Sequence, residues 1–475
     1  MRIAKKVEKS KFVHLSAQTC FFLKFVLLSY LQGGVMDDRY TCTKKKRTLF
    51  EKINAIQDTE PVKVVTGIRR CGKSSLLKLM TLHLKENGVS EEQILEMNFE
   101  SYAFKDMNSD DFYKYVKAHI IEGKRMYLFF DEVQRVPNWE DAINSFRVDF
   151  NCDIYVTGSN AYMLSSEYAT YLSGRCVEIK MLPLSFSEFL TFYDFEIKET
   201  KSALGGTRKQ AFDSNGEHYE IREVFDAYVR FGGMPGIADV GLDQEKALIL
   251  LEGIYSTVIM RDILERENLR GQKRITDPIL LKKIITFLAD NIGSNISVSS
   301  IGNILVNEGL LEDGKRKGTP STHTVQSYVD ALLEAYFFYD IKRFDIKGKE
   351  FLRTLGKYYI VDIGLRNYLL GFRDRDSGHV LENIVYFELL RRGFDVSIGK
   401  IENAEVDFIA TKVDEKQYIQ VTESMENEDV RKRELFPLQK IGDNYEKIIL
   451  SLNPGMDNSY DGIKSINLID WLISE

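Results

Sequence analysis

Gly67-Ile68-Arg69-Arg70-Cys71-Gly72-Lys73-Ser74 decides how this chain folds. It fills each fixed position of G-x-x-x-x-G-K-[ST], the loop that wraps a phosphate in backbone N–H groups. Gly67 and Gly72 allow the sharp bends that turn those groups inward. Lys73 places a point charge on the β- and γ-phosphates, and Ser74 offers a hydroxyl to Mg²⁺. The cradle expected to bind nucleotide is Gly67, Arg70, Cys71, Gly72, Lys73, Ser74 and Ser75. The flanks agree: Pro61 to Thr66 is a short β-branched strand, and Ser74 to Met80 opens an apolar helical run. Strand, loop and helix in that order set a helix N-terminus, with its partial positive charge, under the phosphates. A Gly-Lys turn without a ligand is the alternative, and these flanks weigh against it.

A hydrolysing P-loop also needs a carboxylate for the metal and a group that orients water. Tyr127-Leu128-Phe129-Phe130-Asp131-Glu132 carries both, as a buried parallel strand with two acids at its carboxyl end. Open α/β sheets bind ligands at that end, so Asp131 is expected on Mg²⁺ and Glu132 as the base for the attacking water. A third strand, Asp153 to Thr157, leads into Gly158-Ser159-Asn160. Asn160, or Ser159, is the expected polar contact to water or γ-phosphate, with an Asn helix cap as the equal alternative. Arg175 precedes a further strand, Cys176 to Ile179. It is a candidate to stabilise transition-state charge in cis or across a subunit boundary, while spacing alone favours a surface arginine.

Taken together, Gly-x-Arg-Arg-x-Gly-Lys-Ser-Ser-Leu, Phe-Asp-Glu-Val-Gln, Thr-Gly-Ser-Asn and Leu-Ser-Gly-Arg resemble a large prokaryotic group of AAA-type ATPases with a C-terminal domain of unknown function. The stretches Leu182 to Phe189 and Gly232-Gly233-Met234-Pro235 resemble the same group, so the likeness runs from about Met36 to the C-terminus. It implies ATP hydrolysis and names no client. It also implies a sensor role for Asn160 and a sensor or arginine-finger role for Arg175.

Bulk properties set the frame. A chain of 475 residues exceeds one small core, and 44 % hydrophobic with 28 % charged residues is the composition of an ordinary globular protein. Only 8 prolines and no low-complexity tract argue against long linkers. A net charge of −7 does not suit a protein that coats nucleic acid. The five cysteines all lie at or before Cys176, which excludes a disulfide framework for the C-terminal half, and no Cys/His spacing reads as zinc. A reducing cytoplasm fits, with no stable membrane association.

Residues 1–35 pair a basic start with a mostly apolar run from Cys20 to Leu31, which Lys24 interrupts. The run is short for a membrane span. The preferred expectation is that Met36 is the true start; a signal-like or membrane-associated helix and a packed helix are the alternatives.

Beyond the core, Tyr219 to Arg230 and Ala247 to Leu264 read as helices of a connector. Leu281, Ile284, Ile285 and Leu288 share one face of a helix over 277–291. Val298 to Leu305 is a second helix, and Thr319-Pro320-Ser321-Thr322 starts a third with apolar positions at Val325, Tyr328, Val329, Leu332, Leu333 and Tyr336. Two strands, Phe337 to Lys342 and Lys347 to Leu352, would form a wing. A winged helix would present Thr322, His323, Thr324, Gln326 and Ser327 to a DNA major groove. Against DNA, residues 296–350 carry seven Lys/Arg and eight Asp/Glu, where phosphate neutralisation asks for a basic face. A protein client is the other expected partner.

In the last segment, Glu382 on a helix, Asp407 on a strand and Gln420-Val421-Thr422 on the next strand resemble a restriction-endonuclease-like core. In that core the acids bind Mg²⁺ and a lysine helps activate water. Here Thr422 stands where the lysine belongs, and residues 351–475 carry 16 Lys/Arg against 22 Asp/Glu. The preferred reading is a nuclease-like fold kept for binding or structure.

The expectation is therefore an α/β chain of four parts after residue 35. These are a P-loop AAA-type domain over 36–200 with a parallel sheet, a helical connector over 201–274, a winged-helix domain over 275–355 and a nuclease-like domain over 356–475. ATP and Mg²⁺ are the expected cofactors, and assembly into an oligomer fits the class. A nucleotide-responsive DNA-binding regulator and an ATP-gated nuclease are the competing functions.

Overall fold

The structure is a computed structural model that describes residues 48–159, 174–201, 207–265, 275–307, 320–373, 376–455 and 458–474. The 1–35 extension, Asn160 and the helical run expected after it lie outside the described residues. Among the described residues, no helix is long and apolar enough to cross a membrane.

The chain divides into two compact units, the first comprising residues up to 183 together with 235–247. Its described elements begin with α1 (Thr48–Asn54), β1 (Val62–Thr66), α2 (Lys73–Glu86), β2 (Ile94–Asn98) and α3 (Ser109–His119). They continue with β3 (Met126–Asp131), α4 (Trp139–Asp149), β4 (Cys152–Gly158) and β5 (Cys176–Lys180). The five strands form an all-parallel sheet in the order β2-β3-β4-β1-β5. Parallel sheets of this kind are covered on both faces, and β1 and β3 are buried along their whole length. Phe112 of α3, Phe130 of β3 and Phe146 of α4 meet edge-on or tilted in the core, with Phe112 4.8 Å from Phe130 and 5.1 Å from Phe146. The expected strand–loop–helix and the acid-bearing strand are both present.

The second unit comprises residues 184–234 and 248–475. It opens with α5 (Phe186–Phe192), whose N-cap Ser185 and Glu188 form a reciprocal capping box. Next comes an antiparallel sheet of β6 (Glu196–Lys201), β7 (Thr207–Phe212) and β8 (His218–Glu220), then α6 (Ile221–Phe231). This small sheet stands beside the helices expected of the connector. Strands such as Glu-Ile-Lys-Glu-Thr-Lys carry almost no apolar face, so hydrophobic periodicity gives them no signal. A helix then runs over Gln244–Thr257 and continues as a π-helix over Val258–Glu265.

The Gly232-Gly233 loop has a packing cause. Leu184 N donates to Gly233 O at 2.6 Å, and a Cβ on Gly233 would lie 2.4 Å from Leu184 O. Gly233 N donates in turn to the buried Asp362 Oδ2 at 2.6 Å.

Three expected helices follow, labelled α8 (Pro278–Asp290), α9 (Val298–Asn307) and α10 (Thr322–Glu334) after α7 (Gln244–Thr257). Asp277 caps α8 ahead of Pro278, and Ser321 caps α10. The two strands expected as a wing are β9 (Phe338–Asp345) and β10 (Glu350–Ile360). They pair with each other, but β9 also pairs in parallel with β11 (Asp395–Ile401). They are therefore the edge of one eight-stranded mixed sheet, ordered β10-β9-β11-β12-β13-β14-β16-β15. The boundary expected at 355/356 falls inside β10. The rest of that sheet is β12 (Ala404–Thr411), β13 (Lys416–Ser424), β14 (Glu446–Asn453), β15 (Ser459–Tyr460) and β16 (Ile463–Asn467). Helices α11 (Ile363–Leu370), α12 (Ser377–Arg391), α13 (Glu428–Gln439) and α14 (Leu468–Ile473) accompany it.

Candidate active site

The loop between β1 and α2 has the shape its glycines predict. Gly67 has φ 146 and Gly72 φ 105, and a Cβ on Gly67 would lie 2.1 Å from Met181 O. Arg70 also has a left-handed φ of 64, uncommon for a side-chain-bearing residue, and its side chain is exposed. Cys71 is buried beneath the loop. Lys73, at the first turn of α2, donates from Nζ to the carbonyls of Gly67 at 2.9 Å and Ile68 at 3.0 Å. Ser74 follows it, exposed, with Ser75 half-buried.

The end of β3 meets this loop. Asp131 is buried, which pushes its carboxyl above the usual aspartate range. Hydroxyls of Thr157 and Ser74 bind it and oppose that rise; the charge of Glu132 adds to it and that of Lys73 opposes it. Thr157 Oγ1 donates to Asp131 Oδ1 at 2.5 Å, and Asn98 Nδ2 donates to Asp131 Oδ2 at 3.0 Å. Glu132 is also buried and takes a left-handed φ of 55, a strained backbone for a glutamate. Its N–H donates to Thr157 Oγ1 at 3.0 Å. Its Oε2 accepts from Gln134 Nε2 at 2.5 Å and Ser159 Oγ at 3.4 Å. Three strand ends thus converge: Asn98 from β2, Asp131 and Glu132 from β3, Thr157 and Ser159 from β4. Arg69 of the loop pairs with Glu100, which Arg135 also approaches at 3.3 Å.

Asn160, the first expectation for a contact from the third strand, lies outside the described residues; Ser159, its alternative, reaches Glu132. Thr157 and Asn98 were not singled out in the sequence; their signal was a polar residue at the carboxyl end of an otherwise apolar parallel strand. Arg175 is not gathered with the loop. Its carbonyl accepts from Val62 N and its Nη1 donates to Asn144 Oδ1 at 3.3 Å. Val62 begins β1, so Arg175 lies at the opposite end of that strand from the P-loop, roughly 16 Å away at about 3.3 Å per residue.

A second constellation lies in the eight-stranded sheet. Glu382 of α12 and Asp407 of β12 come together as expected, and Gln420 of β13 accepts from Asp407 N at 3.3 Å. Thr422 brings no charge, as its residue type dictates, but an ammonium reaches the acids from another strand. Lys357 of β10 sets Nζ 3.1 Å from Glu382 Oε2, 3.0 Å from Glu405 Oε1 and 4.0 Å from Asp407 Oδ1. No local spacing announces it, since it precedes Glu382 by a full helix and loop.

On α10, Thr322, His323 and Gln326 are exposed and Thr324 and Ser327 half-buried; Gln326 Nε2 is held by Asp330 Oδ1 at 2.7 Å.

Comparison with known proteins places these sites. A family described as an AAA domain matches residues 59–190, and one described as a domain of unknown function matches residues 222–376. An uncharacterized protein of Haemophilus influenzae is 36 % identical over 431 residues, covering 90 % of this chain and 98 % of that protein. One of Methanocaldococcus jannaschii is 30 % identical over 415 residues, covering 86 % and 84 %. Among solved structures, the Walker-type ATPase of Pyrococcus abyssi is similar with a TM-score of 0.44 and 16 % identity, covering 68 % of this chain and 95 % of that one. The chain belongs to the family of these Haemophilus and Methanocaldococcus proteins, and with the P-loop inside its AAA domain it is an ATPase.

Proposed function

We propose a Mg²⁺-dependent ATPase of the signal-transduction AAA type, in which nucleotide state governs how the C-terminal region engages a protein partner. The observation that carries the catalytic part is the single hydroxyl of Thr157, bonded to both Asp131 and the Glu132 backbone beside Ser74. The donor set of Ser74 and Asp131 is all oxygen, which suits a hard cation that keeps several waters. These two would hold Mg²⁺, which supplies charge neutralisation on the β- and γ-phosphates. Gly67, Arg70, Cys71, Gly72 and Ser75 present the loop backbone, and the Lys73 ammonium, seated on two loop carbonyls, shifts to the phosphates. Glu132 accepts hydrogen bonds from Gln134 and Ser159, and its carboxylate orients the attacking water. Asn160 takes the sensor role. Arg175, at the far end of its strand, acts across a subunit boundary in an oligomer.

A protein partner is preferred over DNA because Asp330 holds Gln326 on the α10 face and residues 296–350 carry more Asp/Glu than Lys/Arg, where counterion release asks for a basic excess. The test is steady-state ATP turnover with Mg²⁺, with and without duplex DNA. Wild type turns over ATP regardless of DNA. Lys73→Ala loses nucleotide binding or turnover, and Glu132→Gln keeps ATP bound while turnover stops. Full turnover in Glu132→Gln overturns the catalytic assignment; turnover that climbs with DNA and falls back with salt replaces the protein client by DNA.

A further inference from the structure

The Lys357 cluster has a feature that its nuclease-like surroundings do not predict. Three carboxylate oxygens, from Glu382, Glu405 and Asp407, converge on one point, and the buried ammonium of Lys357 occupies it. The remaining oxygens are directed outward by fixed donors. Val421 N donates to Asp407 Oδ2 at 2.8 Å, Asn295 Nδ2 to Glu405 Oε2 at 2.8 Å, and His379 Nδ1 lies 3.4 Å from Glu382 Oε1. Tyr359 OH also donates to Glu382 Oε2 at 3.1 Å. A lysine that activates water stands beside a metal and touches the carboxylates from the side; this one contacts two of them as its own nearest neighbours and faces the third.

The strand that should add another acid does not. Gln420 spends its carbonyl on Asp407 N and its amide on Glu434 Oε2 at 3.0 Å, so it presents no charge to a cation. Among the described residues, no group of His, Cys, Asp or Glu is arranged to hold a metal ion. A divalent ion at this point would stand against a fixed positive charge inside a poorly solvated site. The residues therefore do not fit the Mg²⁺ that a nuclease-like core implies.

We propose that Lys357 is a built-in occupant of a divalent-cation seat: its ammonium offsets part of the charge of Glu382, Glu405 and Asp407 in place of a metal and closes this region to metal-dependent phosphodiester cleavage. The same contact ties β10 to α12 and β12. The inference does not depend on the ATPase assignments; loss of turnover in a P-loop variant leaves it intact.

The test is titration of the nucleotide-free full chain with Mn²⁺ by calorimetry, using wild type, Lys357→Ala and Lys357→Ala with Asp407→Asn. Weak Mn²⁺ uptake at the P-loop is common to all three and cancels in the comparison. The expected result is one extra Mn²⁺ site in Lys357→Ala, absent from wild type and lost again in the double variant. In thermal melts, Mn²⁺ raises the melting temperature of Lys357→Ala and leaves wild type unmoved. If Lys357→Ala does not accumulate folded, Lys357→Gln, which keeps a hydrogen-bonding head without the charge, carries the same comparison. The same extra Mn²⁺ site already present in wild type overturns the proposal and makes Lys357 a partner of a metal. A folded, uncharged variant that takes up no Mn²⁺ overturns it equally, because the carboxylates would then form no cation seat.

Discussion

The Thr157 hydroxyl donates to Asp131 Oδ1 at 2.5 Å while accepting from the Glu132 N–H at 3.0 Å. One oxygen on β4 thereby fixes both acids at the end of β3, and it fixes the left-handed turn that separates their side chains. Outer partners that orient metal-holding carboxylates commonly affect activity by 10–100-fold. Thr157→Val keeps the shape and removes both hydrogen bonds. It is expected to lower ATP turnover by roughly 10–100-fold with a smaller change in ATP affinity, and Thr157→Ser is expected to restore most of the rate. Steady-state ATPase assays beside nucleotide-binding titrations check this; a folded Thr157→Val with wild-type turnover removes the role.

Gly67→Ala meets two obstacles at once. The φ of 146 is a conformation that L side chains rarely adopt, and the added Cβ would sit 2.1 Å from the Met181 carbonyl. Relief requires moving the backbone of the P-loop, so ATP binding is lost along with about 1–3 kcal/mol or more of stability. Gly88→Ala is the control: its φ is 88 but nothing lies within 4 Å of a Cβ there. Melting temperatures with and without ATP separate the two, since only Gly67→Ala should lose the rise that bound ATP produces.

What the sequence made legible was local. The P-loop, its flanking strand and helix, and the Asp131-Glu132 strand end are each specified within a dozen residues, where motif and hydrophobic pattern act together. Thr157 becomes functional only through the register that places Phe130 opposite Val156, and no spacing within β4 reports that pairing. The hairpin of β9 and β10 was visible from its turn, but its sheet was not, because β9 pairs with β11 through Arg343 and Ile398 across a long stretch of intervening chain. The same long-range pairing hides Lys357: the expected lysine position is two past Gln420, and the ammonium arrives instead from β10, far earlier in the chain. The polar sheet over 196–220 escaped because its strands bury so little apolar surface.

Glu140 gives the first unit a pH signature. It lies in the first turn of α4, is buried, and its Oε1 has no hydrogen-bond partner among the described residues. Burial pushes its carboxyl up from 4.5 to about 7, against a smaller opposing pull from its own backbone N–H. Between those two values the folded chain holds a proton that the unfolded chain releases. Stability from this group therefore falls as pH rises from about 5 to about 7. Glu140→Gln removes the titration, so its melting temperature should lose that slope and exceed the wild-type value at pH 8, while the two converge near pH 5. Parallel slopes for both proteins would assign the pH dependence elsewhere.

Lys63 and Asp153 test what holds the other end of the same sheet. Both are buried, Lys63 at the start of β1 and Asp153 on β4. Nζ donates to Asp153 Oδ1 at 2.5 Å and to Thr59 O at 2.7 Å, while Asp153 Oδ2 accepts from Asp58 N and Tyr155 OH, each at 2.8 Å. Burial lowers the Lys63 pKa, and Asp153 opposes that by stabilising the ammonium. Removing one member strands the other charge inside the protein, which costs about 3–5 kcal/mol, whereas replacing both with neutral residues of similar volume is close to neutral. Lys63→Met should thus depress the melting temperature strongly, and Lys63→Met with Asp153→Asn should recover most of it. Because the pair sits at the amino end of β1 and the P-loop at its carboxyl end, the double variant should bind ATP as wild type does. Equal destabilisation in the single and double variants would show that the ion pair carries no coupling, and that packing of the lysine stem accounts for the cost.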